Sequence, residues 1–370
     1  DKYSDNSYNI SFNKIGNKVL ILLPNHWNLC NIIGMNKLIQ TEENFIYGDM
    51  TYYEIFQNEV TINLPIIIID ELPILKYNNG NDFDENDKLL LTDKVKIDAK
   101  CIMDSINYPP TNPSSIKVLP VNSNPYNFGT SALAASRILY FSKLLNCKDN
   151  YINDLKDIMI KYLKMWLDGT NSTSQDNIYQ LQYDMIWRGI VVPADYTDKL
   201  VNNPNKGSSY GNSYYNDHHF HWGYLLYCIY IMSKIDNTVK LLDIYKDKII
   251  SIMKDVVNPQ SDDFAWKTRH KDWYSGHSWA TGLTNELNRQ QESSSEAVNC
   301  YYSCYLISKY YNKLELREST SNKIYEIMQS RALLELTNCS KICLQLEILA
   351  SKQYYRLEAP GSDYKVLSDV

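Results

Sequence analysis

The sequence predicts a mainly α-helical fold preceded by a β-rich N-terminal portion. From about residue 131 to 356, apolar residues recur three and four positions apart, the spacing that builds one face of a helix. Before residue 100 the apolar runs are short, β-branched and bounded by turn residues, as strands are. A Pro/Ser/Asn-rich connector over 109–124 separates the two regimes.

Residues 19–23, between Gly16 and Pro24, and residues 61–69 read as strands. The stretch 78–87, with Gly80 and four acids, reads as a solvated loop. It suggests a division into a β-rich portion over 1–85 and a helical domain over 86–370. Helices are expected at roughly 131–147, 152–167, 218–235, 238–256, 294–311, 320–337 and 339–356. The clearest is the second, where Leu155, Met159, Leu163 and Trp166 line one face and Gly169 is placed to end the helix. No internal repeat has a fixed period.

A chain of 370 residues with 44% hydrophobic and 22% charged residues is an ordinary globular composition with a sizeable core. A net charge of −6 argues against nucleic acid or an anionic membrane as partner, since both favour a basic face. The apolar run over 224–232 is about half of what a membrane span needs and reads as a buried helix. The 31 tyrosines accompany Asn, Ile and Lys tracts, which is the mark of codon bias, so a single tyrosine carries little information.

Eight cysteines are present, and Cys300/Cys304 and Cys339/Cys343 are each four apart on one helical face. No CxxC accompanies them, so buried free thiols are expected rather than a zinc site. Sequons at Asn9, Asn171 and Asn338 are compatible with secretion but short enough to arise by chance. The chain starts at Asp1 without a signal-peptide pattern, so secretion cannot be read directly and a start removed by processing is expected.

Two stretches carry the chemistry. Asn216 to Tyr224 (NDHHFHWGY) concentrates an acid, three imidazoles and aromatics. Gln291 to Cys300 (QESSSEAVNC) reads as a helix start with Glu292 and Glu296 one turn apart. Carboxylates brought together from distant segments are what acid/base hydrolysis of a glycosidic bond requires. Aromatic faces and imidazoles suit a sugar ring. Tyr183-Asp184 with Trp187-Arg188-Gly189, and Trp273-Tyr274 with Gly276-His277-Ser278-Trp279, are further Gly- and aromatic-marked loops.

These stretches also carry a resemblance. NDHHFHWGY, then DWYSGHSWATGL over 272–283, then QESSSEAVN over 291–299, resemble in order and spacing the family-81 glycoside hydrolases, endo-β-1,3-glucanases. The resemblance implies an inverting endo-hydrolase of β-1,3-glucan, with no cofactor, built from a β-sandwich, a small α/β segment and an (α/α)6 toroid. About seven helices fall short of the twelve in such a ring, so a fragment of a longer protein is expected. A monomer is expected, and a secreted or cell-wall associated location is implied by the substrate class. The sequence departs from the family pattern at Trp222, Asn25, Thr130 and Ser209-Tyr210-Gly211. Those departures bear on substrate affinity more than on the reaction.

By this resemblance Asp217 is the general acid, Glu292 the base that holds the water and Glu296 its orienting partner, with the two glutamate roles exchangeable. On pattern alone Asp217 reads equally as the N-cap of the helix that starts at His218. Glu292 and Glu296 read equally as a solvated helix start with carboxylates at the positive dipole end. His221 and His277 are expected to bond sugar hydroxyls, alongside Asp184, Tyr215 and Tyr274 in the substrate cleft. A metal is not expected, because an HHxH run at one helix start splays its rings apart. Two rivals stand beside the hydrolase: a binding module that holds glucan without cleaving it, and a polysaccharide lyase. The lyase would want a basic cleft, which the acidic chain does not offer.

Overall fold

The computed structural model describes residues 3–4, 7–13, 19–22, 31–33, 35–44, 48–55, 59–65, 124–146, 150–169, 181–192, 209–236, 238, 240–283, 290–318 and 324–355. The expected loop over 78–87, the boundary near 85, the connector up to residue 123, Asn25, the sequon at Asn171, and Cys30, Cys101 and Cys147 lie outside them. The described chain is mainly helical.

The N-terminal strands form two antiparallel sheets, one in the order β1-β2-β7-β4 and one in the order β3-β6-β5. The first contains β1 (Tyr3–Ser4), β2 (Ser7–Asn13), β4 (Asn31–Ile33) and β7 (Glu59–Pro65). The second contains β3 (Val19–Leu22), β5 (Met35–Asn44) and β6 (Gly48–Ile55). The strands expected at 19–23 and 61–69 coincide with β3 and β7 as far as the described residues reach.

Helix α1 (Pro125–Leu144) begins six residues before the expected start at 131. Asn124 caps it, with Oδ1 accepting the backbone N–H groups of Tyr126 and Asn127 at 2.9 and 3.0 Å, and Pro125 fills the first helical position. Those two residues are helix-start signals that a Pro-rich connector hides. Helix α2 (Asn150–Asp168) buries Leu155, Met159, Leu163, Trp166 and Leu167. Gly169 closes it at φ 68°, and its N–H bonds the Met165 carbonyl. A short hairpin follows, β8 (Gln182–Asp184) and β9 (Gly189–Val191).

Helix α3 (His218–Ile235) is the centre of the molecule, and its first nine residues are all buried. Gly223 makes this possible. A Cβ at that position would stand 2.7 Å from the Cβ and 2.8 Å from the Cα of Cys300, so only glycine lets α3 touch α6 (Ser294–Glu318) this closely. The helix expected over 238–256 is two, α4 (Leu241–Ile244) and α5 (Lys246–Val257). The two expected over 320–337 and 339–356 are instead one helix, α7 (Ile324–Tyr355). Its polar mid-section does not interrupt it: the Thr337 and Ser340 hydroxyls bond the Leu333 and Leu336 carbonyls one turn back at 2.7 Å each. Cys300, Cys304, Cys339 and Cys343 are free and fully buried between α6 and α7, as expected of apolar thiols.

The loop over 258–283 is tied to α7 by a buried ion pair. Lys271 Nζ bonds the Gly276 carbonyl at 2.5 Å and Glu347 Oε2 at 2.7 Å, with both side chains fully buried. Ser278 Oγ donates to the same carboxylate oxygen at 2.7 Å. This pair fixes the loop that ends against the candidate site.

Candidate active site

Asp217 stands at the N-cap of α3, yet its side chain makes no capping hydrogen bond. Its φ is 57°, a left-handed conformation that non-glycine residues adopt at a cost of about 1–3 kcal/mol. Tyr215 (φ 66°) and Glu292 (φ 61°) share it. Such backbones persist only where their surroundings hold them, and here the surroundings are specific. The Asp217 N–H bonds the Ala280 carbonyl at 2.9 Å, and the Ala280 N–H bonds the Gln290 carbonyl at 2.9 Å. Two hydrogen bonds therefore connect the backbone of Asp217 to the segment that carries Glu292. Asn216 Oδ1 accepts from Gly282 N–H at 2.8 Å, and Tyr214 O from Leu283 N–H at 2.7 Å. A Cβ on Gly282 would meet the Tyr214 carbonyl at 2.1 Å, so this docking needs glycine.

The three carboxyls act on one another. Burial, then the charges of Glu292 and Glu296, push the Asp217 pKa up to about 8. Glu292 reaches solvent, but its carboxyl is also raised, by partial burial and then by Glu296. Glu296 is held differently. Tyr224 donates to its Oε1 at 2.5 Å, and burial, then the charge of the same carboxylate, raises the pKa of the Tyr126 hydroxyl. Ser293 Oγ accepts the Glu296 N–H at 3.4 Å at the start of α6.

The remaining predicted residues divide. His277 Nδ1 bonds Gln291 Oε1, next to Glu292, and burial lowers its pKa. Tyr274 is partly buried in a turn that Asp272 holds by accepting the N–H groups of Tyr274 and Ser275 at 2.9 and 3.1 Å. Tyr215 is 2% exposed and donates to Asp184 Oδ2 at 3.0 Å. Asp184 Oδ1 accepts from Ile186 and Trp187 N–H at 2.8 and 3.2 Å, so both its oxygens serve the β8–β9 hairpin and its anchor. His221 is fully buried, with Nδ1 on Asn212 Nδ2 at 2.8 Å and its ring against Tyr126 at 5.9 Å between centroids.

Sequence reasoning did not single out Tyr224, Tyr126 or Asp255. Tyr224 had a signal, since it lies seven residues after Asp217 on the same helix, two turns along one face. Tyr126 and Asp255 had none, because only tertiary packing brings them here. Among the described residues no group of three or more His, Cys, Asp or Glu is arranged to hold a metal ion. Two cavities, of about 450 and 340 Å³, lie between α5 and α7 and beside α2, and neither is lined by any of the three carboxylates.

The description "Glycosyl hydrolase family 81 C-terminal domain" matches residues 114–341. Curated relatives include the glucan endo-1,3-beta-D-glucosidase of Glycine max, 33% identical over 194 residues, which are 52% of this chain and 27% of that protein. The primary septum glucan endo-1,3-beta-D-glucosidase of Schizosaccharomyces pombe is 37% identical over 127 residues, 34% of this chain and 12% of that protein. A solved structure of a mutant family-81 glycoside hydrolase from Clostridium thermocellum aligns with a TM-score of 0.59 at 18% identity, covering 99% of this chain and 45% of that one. The chain spans less than half the length of that solved relative. The match over residues 114–341 takes in more than half of the chain, including Asp217, Glu292 and Glu296, and on it the chain belongs to glycosyl hydrolase family 81.

Proposed function

We propose that this chain is the catalytic portion of an inverting endo-β-1,3-glucanase, with its helices forming part of an (α/α)6 toroid and residues 1–85 the preceding β-rich portion. The substrate class follows from the relatives, which are named glucan endo-1,3-beta-D-glucosidases. A wall or extracellular polysaccharide would place the protein outside the cell or at the wall.

Asp217 is the general acid. The observation that carries this is its carboxyl, pushed up to about 8 by burial and two facing glutamates, so that it holds a proton near neutral pH. It is free to give that proton because the side chain caps nothing. Glu292 is the base that takes a proton from the attacking water: it reaches solvent, and its raised carboxyl is the more basic for it. Glu296 remains the helper. The Tyr224 hydroxyl donates to its Oε1, which fixes the carboxylate where it can orient the water. Protonation of the leaving oxygen and attack by water from the opposite ring face give a product of inverted anomeric configuration.

Tyr274 and His277 are placed in this reading against the sugar. Tyr215 and Asp184 support the cleft from beneath, since their polar atoms serve the turn and the hairpin, and His221 bonds Asn212 through Nδ1 alone. Glu292 is exposed, so a polymer can reach the cluster from its side.

Chemical rescue tests the assignment. Asp217→Asn and Glu292→Gln each lower hydrolysis of linear β-1,3-glucan by about 10²–10⁴-fold. An activated leaving group restores Asp217→Asn, and azide restores Glu292→Gln with a glycosyl azide of inverted configuration. If azide restores Glu296→Gln and not Glu292→Gln, base and helper exchange roles. If neither substitution slows hydrolysis, the catalytic assignment falls; if the parent chain itself releases no reducing ends, glucan binding without cleavage takes its place.

A further inference from the structure

Behind the turn that carries Asp217 lies a buried charged network that the reaction scheme does not use. Asp255 on α5 is fully buried. Its Oδ2 accepts from His218 Nδ1 at 2.5 Å and from Trp222 Nε1 at 2.9 Å. Its Oδ1 accepts from Arg269 Nε and from the Ile190 N–H, each at 3.3 Å. Four donors hold this carboxylate as an anion.

His218, the residue after Asp217, is also fully buried, and its Nε2 lies 2.7 Å from the Asn212 carbonyl. A carbonyl and a carboxylate both only accept, so each ring nitrogen faces an acceptor and the ring is held between Asn212 and Asp255. It braces the start and the end of the turn over 212–218 against α5. Asn212 extends the brace, with Oδ1 accepting the Val192 N–H at 2.8 Å. The Arg269 guanidinium lies over the Tyr215 ring at 4.3 Å and bonds the Trp187 and Arg188 carbonyls at 3.1 and 2.6 Å. The hairpin, the turn, α3 and α5 thus meet at one buried carboxylate.

We infer that Asp255 is a positioning residue for the acid: through His218 it fixes the left-handed turn that aims the Asp217 carboxyl at the leaving oxygen. The inference rests on reading Asp217 as the general acid. A brace of this kind differs from a merely structural ion pair in what its loss does. A looser fold slows every substrate alike, whereas a misaimed acid slows only reactions that need the proton.

The experiment compares Asp255→Asn and His218→Gln in the full chain on two substrates, with Asp217→Asn beside them. One substrate is linear β-1,3-glucan, and the other is a laminari-oligosaccharide glycoside with a dinitrophenolate leaving group, which departs unprotonated. Circular dichroism and a thermal melt establish the folded fraction. A misplacement on the order of 1 Å costs about 10²-fold, so kcat on glucan is expected to fall by about that factor with KM little changed, while kcat on the activated glycoside falls less than about threefold. Equal losses on both substrates, or loss of the folded state in both variants, overturns the inference. Should Asp217→Asn itself show no selective recovery on the activated glycoside, the acid reading fails instead. Recovery by Asp217→Asn without selectivity in the other two variants sinks only the positioning role.

Discussion

Replacing Asp217 by Asn should stabilise the protein while it slows glucan hydrolysis, and the gain should depend on pH in a defined way. The folded carboxyl titrates near 8 and the free one near 3.8. Between those values the native state holds a proton that the unfolded chain has released, so the Asp217 contribution to stability is fully present below pH 3.8 and is lost as pH rises to 8. At pH 7 the gap to the free value is about three units, or at most ~4 kcal/mol at about 1.4 kcal/mol per unit. Residual solvent contact of the side chain reduces this to about 2–4 kcal/mol. Asn keeps the shape, carries no titrating proton, and sacrifices no capping bond because Asp217 makes none. Urea denaturation of parent and variant at pH 4, 6 and 8 measures the difference. It should be near zero at pH 4, grow through pH 6 and level off above 8. Adding Glu292→Gln removes one of the two repelling charges and should narrow the gap at pH 8. A variant no more stable than the parent at pH 8, or an advantage equal at pH 4 and 8, would refute the argument that burial and the glutamates hold this proton.

Two further outcomes follow from named contacts. Tyr224→Phe deletes the hydroxyl that donates to Glu296 at 2.5 Å; with a charge-assisted bond worth about 1.5–3 kcal/mol, steady-state kinetics should show kcat lower by about 10- to 100-fold and KM nearly unchanged. Lys271→Met strands the buried Glu347 carboxylate and should cost about 3–5 kcal/mol in urea denaturation, whereas Lys271→Met with Glu347→Leu should recover most of it.

Local signals made part of this fold readable. The four-residue spacing along α2 and the glycine that ends it act through the chain's own neighbours, so their effect is visible in sequence. The two expected helices over 320–337 and 339–356 merge because the Thr337 and Ser340 hydroxyls bond back along α7, and Asn312 on α6 donates to Thr337 Oγ1 at 2.6 Å. Such polar residues look like a break when their partners cannot be seen. Asp217, Glu292 and Glu296 stand out in the sequence because they sit in long, distinctive motifs. Their electrostatics do not. Whether Asp217 caps its helix or faces the glutamates depends on the turn over 212–218, and that turn is held by Ala280, Gly282 and Asp255 from elsewhere in the chain. Asp184 illustrates the converse: a residue type suited to sugar hydroxyls, whose two oxygens the fold uses for a hairpin and for Tyr215.

The central claim is that Asp217 and Glu292 act as acid and base on opposite faces of a β-1,3-linked glucose. Proton NMR of the first products released from linear β-1,3-glucan tests it most directly. The account predicts new reducing ends that appear first as the α-anomer and reach the β-anomer only by mutarotation. Reducing ends that appear first as the β-anomer would mean retention and a nucleophile, and an absence of new reducing ends would mean that the carboxyl cluster does not cleave the polymer.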